Sequence, residues 1–148
     1  EFLFTTDLSR AGNYNMPLTF NYTYINSEFD SDVADTDFFG DVSKGDPIPY
    51  IPEHQFNLSV GFLKDQWSSY VNVNFVDEVC VRASCNAFEK TDNALTVDLS
   101  AHYALSENVD LYGKVENITS EEDILGRQPY GARPNKDRTA TLGVRIDF

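Results

Sequence analysis

The stretch Thr139-Ala-Thr-Leu-Gly-Val-Arg-Ile-Asp-Phe148 alternates without a break. Ala140, Leu142, Val144, Ile146 and Phe148 fall on one side of an extended chain, and Thr139, Thr141, Gly143, Arg145 and Asp147 on the other. A period of two places successive side chains on opposite faces, so this segment reads as a β-strand with one apolar face. Working back from it, the same pattern recurs. Leu95, Val97, Leu99, Ala101 and Tyr103 oppose Thr96, Asp98, Ser100 and His102, and Val109, Leu111 and Val115 oppose Asp110, Tyr112, Lys114 and Glu116. Trp67, Val71, Val73 and Phe75 alternate with Ser68, Tyr70, Asn72 and Asn74, and Phe56, Leu58, Val60 and Phe62 with Gln55, Asn57, Ser59 and Gly61. Leu18, Phe20, Tyr22 and Tyr24 oppose Thr19, Asn21 and Thr23, and Phe2, Phe4 and Leu8 oppose Thr5 and Asp7. Seven strands follow from the pattern, with no capped helix.

The composition narrows what such a sheet can be. The 148 residues are 41% hydrophobic and 24% charged, the ordinary balance of one soluble domain. Lys and Arg total 11 against 24 Asp and Glu, a net charge of -13 that excludes a nucleic-acid backbone as partner. Mean hydropathy is -0.38, and no apolar run reaches the roughly 18 residues that a membrane helix needs. A closed barrel is the other way across a bilayer. The chain opens at Glu1-Phe-Leu-Phe without a basic n-region or cleavage site, so it is expected to be a fragment or a processed piece. Cys80 and Cys85 lie five apart in a polar segment, unlike the two-residue spacing of redox and zinc motifs. A small surface disulfide formed in an oxidising compartment fits them best, although two free thiols in a reducing one would look the same.

The connections alternate in length. Short turns lie at Lys64-Asp65-Gln66 and Ser106-Glu107-Asn108, with a longer one around Arg10-Ala-Gly-Asn-Tyr-Asn. Long loops run roughly from Ser27 to Pro52, Asp77 to Asn93 and Thr119 to Lys136. In an up-and-down sheet all short turns then gather at one end, the asymmetry of outer-membrane barrels. A soluble antiparallel sandwich alternates too. The apolar faces read as free of Lys, Arg, Asp and Glu, which lipid and a buried core require equally; a cation at the lipid midplane costs about 2–4 kcal/mol. The opposite face discriminates better. Thr, Ser, Asn, Gln and Gly dominate it with scattered single charges, the lining of a hydrated lumen rather than a Lys- and Glu-rich outer surface. Trp67, Tyr103 and Phe148 come near the short-turn ends, where an interfacial aromatic girdle would lie. Seven is an odd count and bacterial single-chain barrels are even, so further strands are expected upstream.

Val115-Glu-Asn-Ile-Thr, then Gly126-Arg-Gln-Pro-Tyr-Gly-Ala-Arg-Pro after an acidic loop, then the terminal strand ending in Phe148, together resemble the C-terminus of TonB-dependent outer-membrane receptors. The combination is most frequent in the ferric-citrate and ferric-siderophore branch. Pro49-Tyr-Ile-Pro-Glu-His-Gln-Phe-Asn-Leu-Ser-Val-Gly-Phe is similar to the strand that follows a long extracellular loop in the same family. The resemblance covers nearly the whole chain. It implies that residues 1–148 are the C-terminal portion of a transmembrane antiparallel up-and-down β-barrel, the last seven strands of a plugged barrel of about 22. The plug, the earlier strands and the N-terminal segment that meets the TonB complex would lie outside this sequence. The resemblance further implies a monomeric barrel in the outer membrane of a Gram-negative bacterium, surrounded by lipid and lipopolysaccharide. Such a receptor takes up a ferric chelate of siderophore or citrate type with energy coupled through TonB, is not an enzyme and carries no cofactor. Phe148 would serve as the C-terminal signal for barrel assembly. A passive porin and a soluble extracellular β-sandwich binding module are the rival readings.

Candidate sites are few. Arg127, Arg133, Lys136 and Arg138 concentrate positive charge in an acidic chain. The guanidinium groups of Arg127, Arg133 and Arg138 would suit the carboxylates of an anionic chelate. The alternative is that Pro129, Gly131 and Pro134 make a rigid turn whose cations pair with Glu121, Glu122 and Asp123. Glu28, Asp30, Asp32, Asp35, Asp37, Asp41 and Asp46 crowd one loop. Their spacing does not fit a calcium-binding EF-hand, because Ala34 and Asp35 occupy its fifth and sixth positions when Asp30 is first. A solvated acidic loop, sharing divalent ions with lipopolysaccharide, is the reading taken, and no metal site is assigned. His54 and His102 have no acid and nucleophile at a workable spacing. Asn21-Tyr-Thr, Asn57-Leu-Ser and Asn117-Ile-Thr match the glycosylation sequon by chance, since all fall in strands.

Overall fold

The computed structural model describes residues 1–9 and 13–147. Eleven strands follow in chain order: β1 (Phe2–Asp7), β2 (Pro17–Tyr24), β3 (Val33–Thr36), β4 (Gly40–Val42), β5 (His54–Lys64), β6 (Trp67–Val76), β7 (Ala94–Ser106), β8 (Val109–Glu116), β9 (Ile124–Gly126), β10 (Arg133–Pro134) and β11 (Thr139–Ile146). Seven of them form one antiparallel sheet in the order β1-β2-β5-β6-β7-β8-β11. The remaining pairs, β3 with β4 and β9 with β10, are small ribbons inside the first and third long loops. They are too short for periodicity to register in the sequence. The second long loop holds a 3₁₀ turn, Ala87–Glu89, closed by a capping box between Asn86 and Glu89. Phe148 and part of the first turn, residues 10–12, lie outside the described residues.

The register carries the apolar positions of each strand onto those of the next. Leu18, Val60, Val71, Leu99, Val115 and Ala140 form one continuous row across six strands. Phe2, Tyr22, Phe56, Phe75 and Leu95 form another, nearer the long loops. On the opposite face Asn21, Asn57 and Asn74 stand side by side, and Asn57 Nδ2 donates to Asn74 Oδ1 at 2.7 Å. Two aromatic rings fold over glycines of that polar face. A Cβ on Gly61 would sit 2.7 Å from the ring of Tyr70, and one on Gly143 would collide with the ring of Tyr112. Rings seated on bare backbone pin the register of their strand pairs.

Among the described residues no second protein layer covers the apolar face. Extensive contacts join only hydrogen-bonded neighbours of the sheet, and Phe2, Phe4, Val71, Leu95, Leu99, Leu111 and Leu142 are exposed. Among the described residues the fully buried hydrophobic ones are Val42, Val79, Val81, Ala83 and Ala94, all in or beneath the loops. A sandwich would bury its strand rows, so the sandwich reading fails. The single curtain of strands is the wall of a transmembrane β-barrel whose apolar side faces hydrocarbon. Its height agrees. From His54, beside Tyr22 and Tyr24, to Lys64, beside Trp67, β5 runs eleven residues. That is about 33 Å of strand and about 24 Å of bilayer at a tilt of about 45°.

Two details depart from the sequence reading. β1 stops at Asp7 rather than reaching Leu8, because the Asp7 carboxylate accepts from the backbone of Ser9 at 2.8 Å and Met16 at 3.2 Å and turns the chain. Lys64 is not only a turn residue: it ends β5 on the apolar side, paired with Trp67.

Candidate functional site

The three long loops, residues 25–53, 77–93 and 117–138, meet above one end of the sheet and are tied together by backbone bonds. The middle loop is the hub. Cys80 and Cys85 are joined by a disulfide with Cα atoms 5.1 Å apart. Around it lie buried Val79, Val81, Ala83 and Thr91, and Thr91 Oγ1 accepts from the Val79 amide at 2.9 Å. Ala83 N donates to Phe39 O in the first loop, and Tyr50 N donates to Cys80 O at 2.9 Å.

Tyr50 reaches further. Its hydroxyl donates to Gln128 O at 3.2 Å and accepts from Gln128 N at 3.1 Å, so one residue bridges all three loops. Its φ of 62° lies in the left-handed region, an uncommon setting for a bulky side chain that these three bonds hold in place. The third loop is fixed at its other end through Asp92, whose N donates to Ile124 O at 2.9 Å and whose carboxylate accepts from Ile124 N at 2.8 Å.

Asn117 anchors the base of the third loop. It is 3% exposed with a φ of 50°. Its Nδ2 donates to the carbonyls of Glu121 at 2.8 Å and Lys136 at 2.9 Å, and its Oδ1 accepts from Glu121 N at 3.2 Å. Its own amide donates to the Asp98 carboxylate at 2.9 Å. Lys136 then closes onto Glu116 at 2.6 Å, a carboxylate shared with Lys114 at 3.0 Å.

The arginines do not pair with the carboxylates of their own loop. Arg127 Nε donates to Lys90 O at 2.5 Å, Arg133 Nη2 to Gln128 O at 2.8 Å, and Arg138 Nη1 to Ile118 O at 3.3 Å. Asp123 is instead within reach of Asn135 Nδ2 at 3.4 Å, and Asp123 N donates to Asn135 Oδ1 at 3.3 Å. Carbonyls hold the guanidinium groups in position without neutralising them, so Arg127 and Arg133 present positive charge from one loop. Arg138 sits apart, at the root of β11. Around this crown the most exposed aromatic side chain of each loop is Phe38 at 72%, Phe88 at 88% and Tyr130 at 92%.

In the acidic loop Asp30, Asp32 and Asp46 serve the loop's own geometry. Asp46 accepts from Ser43 N and Asp32 from Lys44 N, both at 2.7 Å, and Lys44 pairs with Asp30 at 3.5 Å. In the middle loop Ser84 Oγ donates to Glu89 at 2.6 Å and holds its carboxyl below the usual range, with the Asn86 amide and the Arg82 charge acting in the same direction.

Residues 4–118 match the family model described as the TonB dependent receptor-like β-barrel. The chain belongs to the TonB-dependent receptor family. Among solved structures it is similar to the siderophore receptor PiuA from Acinetobacter baumannii, with a TM-score of 0.75 and 17% identity over 96% of this chain and 20% of that one. It is also similar to the ferric yersiniabactin uptake receptor FyuA from Yersinia pestis, with a TM-score of 0.71 and 19% identity over 99% and 23%. The ferric-catecholate import receptor Fiu from E. coli K12 gives 0.71 and 18% over 99% and 20%. At these identities the likeness is one of fold, and the chain spans about a fifth of each receptor's length. No curated protein matches it.

Within this TonB-dependent receptor barrel, sequence reasoning singled out the arginines, whose role is left to the proposal below, and the cysteines, which form the disulfide, but it passed over Tyr50 and Asp92. Asn117 entered the sequence reading as part of the resembling motif and as a chance sequon within a strand, whereas β8 ends at Glu116 and Asn117 opens the third loop. Its isolated position at the end of an alternating strand was the available signal, since Asn is the residue that most readily takes a left-handed backbone there.

Proposed function

We propose that this chain is the C-terminal part of the wall, with three outer loops, of a receptor that takes up an anionic ferric chelate of siderophore or citrate type. The long-loop crown faces the medium, the short turns face the periplasm of a Gram-negative cell, and lipid with lipopolysaccharide surrounds the apolar face. A plug and a TonB-contacting segment in the rest of a monomeric barrel of about 22 strands supply the gate and the energy coupling. On this reading the ligand is bound and passed on rather than transformed. Phe148 serves barrel assembly.

One observation carries the ligand class. In a chain with a net charge of -13, Arg127 and Arg133 are held by carbonyls and left without an ion pair among the described residues. A planar guanidinium in that state is ready for a carboxylate or catecholate oxygen. The test is uptake of radiolabelled iron, as ferric citrate and as a ferric catecholate, by iron-starved cells carrying the full-length receptor. R127A/R133A is expected to raise the half-saturating concentration about tenfold or more with surface expression unchanged. Equal uptake by variant and parent for both chelates would overturn the assignment.

A further inference from the structure

The hydrocarbon-facing side of the sheet is not uniform. Three adjacent register rows near the short turns differ in size. The outermost is Lys64, Trp67, Tyr103, Leu111 and Val144; the next is Phe62, Ser69, Ala101, Gly113 and Leu142; the third is Val60, Val71, Leu99, Val115 and Ala140. Small side chains in the middle row, between larger ones on both sides, leave an open hollow of about 380 Å³ floored by Ala101 and Gly113. Trp67, Tyr103 and Leu111 wall its short-turn side. Leu142 leans over Gly113 and closes one end, since a Cβ on that glycine would stand 3.0 Å from Leu142 Cδ2. The volume is at the lower end of the roughly 300–1,000 Å³ of small-molecule pockets.

What stands at the rim of this hollow is polar and unmatched. The rings of Trp67 and Tyr103 pack at 6.3 Å, and neither the indole N–H nor the phenol hydroxyl has a hydrogen-bond partner among the described residues. Lys64 is exposed on the same side and forms no ion pair among them. An ammonium, an indole donor and a phenol donor thus stand at headgroup level, with an apolar trough directly on the membrane side of them.

We propose that this face of β6, β7, β8 and β11 holds one anionic phospholipid of the periplasmic leaflet. One acyl chain lies in the trough over Ala101 and Gly113, and the phosphate meets Lys64, Trp67 and Tyr103. The occupant is anionic because, among the described residues, the charged group in register with Trp67 and Tyr103 is the cation Lys64, which favours an acidic headgroup by about fivefold. It is a lipid of the inner leaflet because the hollow lies at the short-turn end. The proposal rests on the membrane orientation given above.

The test is native mass spectrometry of the full-length receptor, released from detergent with phosphatidylglycerol or phosphatidylethanolamine added. The parent is expected to keep a single phosphatidylglycerol in preference to phosphatidylethanolamine. Ala101→Leu fills the trough and is expected to weaken that adduct about tenfold. Lys64→Gln leaves the trough intact and is expected to erase the preference for the acidic lipid while a lipid still binds. Heat-modifiable mobility on a gel confirms that each variant has formed its barrel. An Ala101→Leu barrel that keeps phosphatidylglycerol as tightly as the parent, or a parent that holds both lipids equally, overturns the site. A parent that folds without detergent and carries no lipid sinks the membrane reading itself.

Discussion

Asn117→Ala should release the third outer loop while leaving the wall in place. Besides a long bond accepted from Thr119 Oγ1 at 3.3 Å, the side chain donates two bonds to loop carbonyls and accepts one from the Glu121 amide, and these last three hold the loop ends together. At about 1 kcal/mol each these contribute about 3 kcal/mol. Its φ of 50° adds about 1 kcal/mol against Ala, which tolerates the left-handed region less well than Asn. The local opening free energy of the loop should therefore fall by about 4 kcal/mol, or by whatever stability the loop has if that is less. Hydrogen exchange of the full-length receptor in detergent reads this directly. Amides between 119 and 137 should exchange faster by about two to three orders of magnitude, since about 1.4 kcal/mol is a factor of ten. Peptides from β5 and β6 should not change. Asn117→Gly separates the two contributions, because it restores the backbone freedom without the bonds and should exchange about fivefold more slowly than the Ala variant. Exchange in Asn117→Ala within about threefold of the parent would refute the anchor assignment.

Tyr50→Phe keeps the ring and the amide bond to Cys80 but loses both contacts with Gln128, so exchange at residues 127–131 should rise about fivefold to tenfold with the middle loop unaffected. Removing the disulfide with Cys80→Ser and Cys85→Ser frees a closure of sequence separation 5, worth about 2 kcal/mol in the chain-entropy picture. Loosening should then spread to residues 37–50, which bond to that loop; confinement to residues 79–91 would contradict the hub. Glu89 titrates below its ordinary value of 4.5, chiefly through Ser84. A depressed carboxyl stabilises above the unfolded value and loses that contribution as pH falls through the lower folded one, so the Ala87–Glu89 turn should loosen only below about pH 4.5. Ser84→Ala should raise the folded value toward 4.5 and so shrink this pH dependence, as read by the ¹⁹F linewidth of fluorophenylalanine at position 88. Val71→Arg, at the middle of the hydrocarbon face, should cost about 2–4 kcal/mol in barrel stability, whereas Asn72→Arg on the lumen side should cost less than about 1 kcal/mol. Equal penalties measured by chemical unfolding in lipid would refute the assignment of this face to hydrocarbon, and a larger one at Asn72 would mean the faces are reversed.

The wall was legible because its rule is binary. A strand with lipid on one side and water on the other must alternate, and a one-residue slip would put Asn72 and Asn74 in hydrocarbon, so the pattern and the register carry the same information. The crown obeys no such rule. Tyr50 acts through a backbone twist and a hydroxyl reaching 78 residues along the chain, and neither leaves a periodic trace. The arginines were visible as charges, but whether they meet carboxylates or carbonyls depends on how Lys90, Gln128 and Ile118 are placed, which only the folded loops determine. Lys64 was misread for a similar reason. Its charge marked a turn, and only the pairing with Trp67 shows it prolonging the apolar face.

The wall and the crown are stabilised by different physics, and this separates assembly from recognition. In hydrocarbon, an apolar side chain gains little by exchanging lipid for protein, so the sheet depends on backbone ladders that have no solvent to replace them. In the crown, water competes for every bond, and the loops hold only through convergent contacts: a disulfide, a few buried aliphatic residues, and the Tyr50, Asp92 and Asn117 ties. Their local stability is therefore low enough to be shifted by a ligand of ordinary affinity, while the wall beneath is not. If the proposed function holds, substitutions among Phe38, Phe88, Tyr130, Arg127 and Arg133 should alter what is bound without touching the register of β5 to β8. A change at Tyr50 or Asn117 alters how the loops move together instead. Affinity and loop coupling should thus respond to separate sets of residues, although both lie on the same three loops.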